Sequence, residues 1–177
     1  MYFVETPLSG SFVVELELLS DERGFFARSW CEEEFLAFGL ASSFVQCNIS
    51  YNKNKNTLRG MHYQAEPYEE TKLVRCTKGS IYDVIIDIRP ESLTYKQWFS
   101  IELSETNHKM LYIPKGFAHG FKTLSDNTEV FYQMGSAYNE KSSRGIMWND
   151  PVFGVVWPEE DQLIISDKDL SYNRYLE

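Results

Sequence analysis

Short runs in which apolar and polar residues alternate recur along this chain, and a period of two is a pattern that strands satisfy and helices do not. Phe99, Ile101 and Leu103 alternate with Ser100, Glu102 and Ser104. Thr128, Val130, Tyr132 and Met134 share one face of a second run, and Lys72, Val74 and Cys76 share one face of a third. From Ile81 to Ile88 the chain is apolar on nearly both sides, as expected for a central strand covered twice. Turn-forming residues break these runs at Lys78-Gly79, Arg89-Pro90, Glu105 to Asn107, Pro114 to Gly116 and Ser125 to Asn127. The rhythm predicts an all-β sandwich or barrel. An aromatic content of 15% agrees, because aromatic rings favour the half-buried surface of a sheet.

Helices are few. The spacing Ser29-Trp30-Cys31-Glu32 is that of a capping box and predicts a helix over the following apolar positions Phe35 and Phe38, ended by Gly39. A second short helix is predicted to start at Ser166. No repeat, linker or low-complexity tract divides the 177 residues, a length that one hydrophobic core commonly serves, so residues 1–177 are read as one domain.

Charge excludes some partners. With 17 Lys and Arg against 26 Asp and Glu, the net charge of −9 disfavours nucleic acid and anionic membranes. A local cluster of arginines still suits an anionic small ligand, since screening fades the global field over about 8 Å at physiological salt. Cys31, Cys47 and Cys76 have no CxxC spacing and leave an odd one over, which reads as reduced thiols in a cytoplasmic protein. The first residues lack a basic region followed by an apolar core, and no run of 18 apolar residues occurs, so a soluble, unsecreted chain is expected.

Candidate chemistry begins with Gln46 to Ser50 and Leu58 to Gln64, where polar groups stand at strand positions that would otherwise bury methyl groups. Strict alternation puts Gln46, Asn48 and Ser50 on one face but sends Arg59 and His62, three apart, to opposite faces. A bulge at Gly60 would turn both inward; the alternative is a solvated surface strand. His62 is then either a structural histidine or a general base titrating near neutrality. The same choice holds for His119, between Gly116 and Gly120, while His108 looks exposed. Two inward histidines suggest a metal, but Gln64 stands two residues after His62 where metal-binding cupins have a second histidine, and none is expected. Tyr132 is either a core aromatic or a proton donor. Lys72, on an apolar face, requires a carboxylate or an anionic ligand.

Together these segments resemble the dTDP-4-dehydrorhamnose 3,5-epimerase family, cupin enzymes of deoxysugar-nucleotide synthesis. The resemblance runs in order from about residue 3 to residue 170. It rests on Asp21 to Phe26, Gln46 to Ser50, Leu58 to Gln64, Lys72-Leu73-Val74, Asp87-Ile88-Arg89, Ile113 to Phe121, Tyr132, Tyr138, Trp148 to Pro151, Trp157-Pro158 and Ser166 to Asp169. It implies an all-β, cupin-type jelly-roll barrel with a few short helices, acting as a homodimer, without metal or redox cofactor. The implied reaction inverts C3 and C5 of a nucleotide-linked 4-keto-6-deoxy sugar. In that reading His62 is the base, Asp169 its partner, Tyr132 the acid, and Lys72 the positive charge beside the enolate oxygen. The alternative for Asp169, from local sequence, is a helix-start carboxylate three after Ser166. His119 and Arg59 assist at the enolate or hold the diphosphate, which Arg23 also suits. Gln46, Asn48, Tyr138 and Lys168 match binding positions, Phe26 packs on the base or ribose, and the Arg23 segment arrives from the partner subunit.

Two departures stand out. Arg28 occupies the place of a usual glutamate five residues after the arginine of the Asp-x-Arg-Gly motif. If it meets the base edge, a donor replaces an acceptor and a CDP-linked substrate becomes an alternative; otherwise it faces solvent or a phosphate. The tail Ser171-Tyr172-Asn173 lacks a proline often found there, with a small expected consequence. The rival activities are a single-centre epimerase and a non-catalytic sugar-nucleotide-binding cupin. The presence of His62, Lys72, Tyr132 and Asp169 together argues against the latter.

Overall fold

Alternation becomes two facing sheets. The computed structural model describes residues 1–158 and 162–175. In chain order the elements are β1 (Tyr2–Glu5), β2 (Phe12–Glu15), β3 (Leu19–Asp21), β4 (Gly24–Phe26), α1 (Glu32–Ala37), β5 (Gln46–Asn52), β6 (Leu58–Gln64) and β7 (Lys72–Lys78). They continue with β8 (Ser80–Asp87), β9 (Trp98–Ser104), β10 (Met110–Ile113), β11 (Phe117–Thr123), β12 (Thr128–Met134), β13 (Ser143–Gly145) and α2 (Asp167–Leu170). A six-stranded sheet has the order β1-β2-β10-β7-β12-β5 and a five-stranded sheet the order β13-β6-β11-β8-β9, while β3 and β4 form a separate hairpin. Pairing between strands distant in sequence, antiparallel throughout both sheets, makes this an all-β jelly-roll barrel.

Between the sheets lies a core of Val74, Cys76, Ile81, Ile85, Leu103, Leu111, Phe121 and Val130. Their positions are the inward halves of the alternating runs. β8 is buried on both sides, with Ile81 and Ile85 inside and Val84 and Ile86 packed against Met61, Ile146 and Phe153 on the outer face. The segment after β13 therefore covers the five-stranded sheet, as α1 covers the six-stranded one through Phe35, Leu73 and Tyr112. Each turn expected from sequence falls between consecutive strands.

The first helix is displaced from its expected start. It begins at Glu32, its N-cap is Cys31, and no side chain caps it, so Ser29 does not form the capping box. Packing decides the position: Phe35 is fully buried, edge-on to Phe3, Phe44 and Tyr112 at 5.1, 6.4 and 6.0 Å. Burying one phenyl ring is worth about 2 kcal/mol, roughly twice a typical cap. The second helix does start at Ser166, whose hydroxyl accepts from the Asp169 N–H at 3.1 Å.

Candidate active site

The bulge expected at Gly60 is present. Where β6 pairs with β11, His62 lies opposite His119 and Arg59 opposite Phe121, so β6 spends one more residue than its partner. Only glycine fits there: Gly60 has φ +140°, and a Cβ on it would lie 2.6 Å from the Gly120 Cα. The extra residue turns both Arg59 and His62 into a cavity of about 400 Å³ between the two sheets.

Opposite them, β5 supplies Gln46, Asn48 and Ser50, β7 supplies Lys72, and β12 supplies Tyr132 and Met134. His119 and Phe121 of β11 line the near wall, with Tyr138 and Lys168 at other points of the lining. Alternation explains the contribution of the six-stranded sheet, where β5 and β12 each present every second residue. Several polar groups tie to one another: Gln46 Nε2 donates to Asn48 Oδ1 at 3.0 Å, Gln46 Oε1 accepts from the Tyr138 N–H at 2.9 Å, and Arg59 Nε donates to Asn52 Oδ1 at 2.7 Å.

His62 Nε2 lies 2.8 Å from Asp169 Oδ1, and Asp169 Oδ2 accepts from the Gly60 N–H at 3.2 Å. Burial pulls the Asp169 carboxyl upward, but the hydrogen bond and charge of His62 and the Gly60 N–H together hold it below its ordinary 3.8. An ionised Asp169 accepts a hydrogen bond from Nε2–H, which leaves the lone pair of the ring on Nδ1. Asp169 is thus both the helix-start carboxylate and the histidine's partner. His119 makes a second such pair, Nε2 to Asp83 Oδ1 at 2.7 Å. Burial, with a contribution from Glu70, raises the Tyr132 hydroxyl above 10.0 in spite of Arg59, so at neutral pH it is a phenol able to donate.

Lys72 meets a carboxylate, that of Glu70, in a buried ion pair. The second Glu70 oxygen accepts from the Gln64 N–H at 3.1 Å. Glu70 and Asp83 are site residues that sequence reasoning missed. Asp83, one of two acids in the mostly apolar run Ile81 to Ile88, was the available signal for one; Glu70, in an acidic loop, gave none.

Three expected residues lie elsewhere. Arg23 sits on the β3–β4 hairpin with its side chain 85% exposed, bound to Asp21, and Phe26 is exposed on the same hairpin. Arg28 donates to Glu34 at 2.7 Å, and it lines with Phe26 a separate depression beside Glu17 and Leu19. None of the three reaches the cavity of its own chain. Among the described residues no group of three or more His, Cys, Asp and Glu is arranged to hold a metal ion, and no helix is long and apolar enough to cross a membrane.

The family model described as dTDP-4-dehydrorhamnose 3,5-epimerase matches residues 5–177. A dTDP-4-dehydrorhamnose 3,5-epimerase of Shigella flexneri is 40% identical over 178 residues, covering 100% of this chain and 97% of the relative. The crystal structure of the enzyme of that name from Elizabethkingia anophelis superposes with a TM-score of 0.96 at 35% identity, covering 99% of this chain and 96% of that one. Another, from Bacillus anthracis with TDP and PPi bound, gives 0.94 at 40% identity over 98% and 99% of the two chains.

Proposed function

The chain belongs to the dTDP-4-dehydrorhamnose 3,5-epimerase family, and from that premise we propose which of its residues carry the reaction and how. It is an isomerase that inverts C3 and C5 of a dTDP-linked 4-keto-6-deoxy sugar. The observation supporting the residue roles is that His62 with Asp169, Lys72 and Tyr132 converge on one cavity from opposite sheets.

A 4-ketone acidifies the hydrogens at C3 and C5. His62 Nδ1 removes one, and the ionised Asp169 stabilises the imidazolium. Negative charge moves to the C4 oxygen as the enolate forms. Lys72 stabilises it there, with His119 and Arg59 beside it, in a partly enclosed cavity where such charges act strongly. Tyr132, on the six-stranded sheet, returns a proton to the opposite face of the carbon from which His62, on the five-stranded sheet, took one. Solvent resets both: His62 has 41% of its side chain exposed and can lose its proton there. Glu70 balances the buried ammonium before substrate arrives, since an unpaired lysine in this position would be costly.

For the nucleotide, Gln46, Asn48, Tyr138 and Lys168 line the cavity. Arg23 and Phe26 are exposed and unused by their own chain's cavity, which supports a homodimer in which the hairpin of one copy completes the site of the other. Mixing inactive Arg23→Ala and His62→Ala subunits should then restore part of the activity. The whole of residues 1–177 is read as one cupin domain working in the cytoplasm without metal or redox cofactor.

Incubation with dTDP-4-keto-6-deoxyglucose in heavy water, followed by NMR, tests the reading. Deuterium should enter both C3 and C5; no label would sink it. In Tyr132→Phe, exchange should persist while inversion fails, and equal loss of both would remove the division of labour between His62 and Tyr132.

A further inference from the structure

The tail that carries Asp169 carries a second group against His62. Tyr172, three residues on, places its ring 5.8 Å from the imidazole at an interplanar angle of 74°, an edge-to-face contact. On its other side is Gly145, the residue that pairs with His62 across the β13–β6 ladder. A Cβ on Gly145 would lie 2.2 to 2.4 Å from three atoms of the Tyr172 ring, so the ring occupies the space that a side chain at the cross-strand position would fill. The tail is pinned beyond it: the Met147 N–H donates to the Asn173 carbonyl at 3.0 Å, and the Tyr175 N–H to Asp150 Oδ2 at 2.6 Å.

We propose that Tyr172 is a positioning residue for His62, its ring seated over Gly145 so that Asp169 fixes the imidazole through Nε2 while Tyr172 fixes the orientation of the ring. The proposal rests on His62 being the base. The tail thus grips one imidazole at two points, and the missing side chain of Gly145 makes room for the second. An imidazole held by a single hydrogen bond still rotates about that bond, which carries Nδ1 away from the carbon acid. A contact on the ring removes that freedom, and misplacement of a base by about 1 Å costs up to about 10²-fold in rate. The side chain of His62 is 41% exposed, so packing covers only part of it.

Three variants and one spectrum test this. Tyr172→Ala should lower kcat about tenfold with KM changed less than about twofold, the signature of a disordered base rather than lost binding. Tyr172→Phe, which keeps the ring, should recover the rate to within about threefold of the parent. Gly145→Ala should lower kcat by displacing the ring, and the Tyr172→Ala/Gly145→Ala double variant should be no slower than Tyr172→Ala, because the clash is gone. The His62 Cδ2–H resonance should move in Tyr172→Ala as the neighbouring ring current disappears, with the unfolding midpoint reported alongside to separate loss of fold from loss of orientation. Parent-like kcat in Tyr172→Ala, a loss shared equally by Tyr172→Phe, additive losses in the double variant, or an unmoved resonance would each overturn the proposal. A His62→Ala enzyme that still exchanges substrate protons would instead overturn the assignment of the base, and the resonance would still report the contact.

Discussion

His62 and His119 face each other across one pair of strands, and each gives Nε2 to an aspartate, at 2.8 and 2.7 Å. Their surroundings differ. The side chains of His62 and Asp169 are 41% and 6% exposed, those of His119 and Asp83 only 10% and 0%. Asp169 comes from a short helix in the tail, and its second oxygen takes the Gly60 N–H. Asp83 comes from the inner strand β8, and its second oxygen has no hydrogen-bond partner among the described residues. The same pair of residue types is therefore built once with its imidazole open to solvent and once with its imidazole closed off from it. Geometry within a pair does not assign its role; access and the origin of the carboxylate do.

Replacing each histidine is the strongest test of that contrast. In His62→Ala, exchange of deuterium into substrate should fall about 10³-fold while nucleotide affinity, measured by calorimetry, stays within about twofold. His119→Ala should lose less, about 10²-fold in kcat, as for one donor to a developing oxyanion, and should retain measurable exchange. Equal losses would mean that the two pairs are not functionally distinct. Gly60→Ala attacks what the pairs share. The introduced Cβ meets the Gly120 backbone at a positive φ, so denaturant unfolding should show a loss of about 2 kcal/mol, and both histidines should be displaced together.

The smallest effect is on acid stability. Asp169 is held below its ordinary carboxyl value in the folded chain by His62 and Gly60, against the opposing effect of burial. Its contribution is complete above the unfolded value of about 3.9 and is lost as pH falls through the lower folded one. Asp169→Asn should therefore make the decline of unfolding free energy below about pH 4 less steep than in the parent. An unchanged slope would show that the carboxylate is not stabilised by its partners.

Much of the site was legible in the chain. Alternation placed Gln46, Asn48, Lys72 and Tyr132 on common faces of their strands, and the three-residue spacing of Arg59 and His62 around Gly60 offered a bulge as one of two readings. Two signals misled or were silent. The capping-box spacing at Ser29 was overridden because Phe35 gains more from burial than Ser29 from capping. The tail residue Tyr172 carried no periodicity at all, yet it meets a histidine 110 positions earlier in the numbering. Resemblance supplied the link between His62 and Asp169; spacing does not carry it.

Period, turn chemistry and the choice of side chains determined the strands, the faces and the all-β class, because those signals act between neighbours along the chain. Which carboxylate meets which cation or imidazole was decided only when the sheets closed: Glu70 on Lys72, Asp83 on His119, Asp169 and Tyr172 on His62. Such pairings join strands, loops and tail across a shared cavity, where a charge is stabilised by whatever the closure of the barrel brings within reach and local sequence has no means of specifying it.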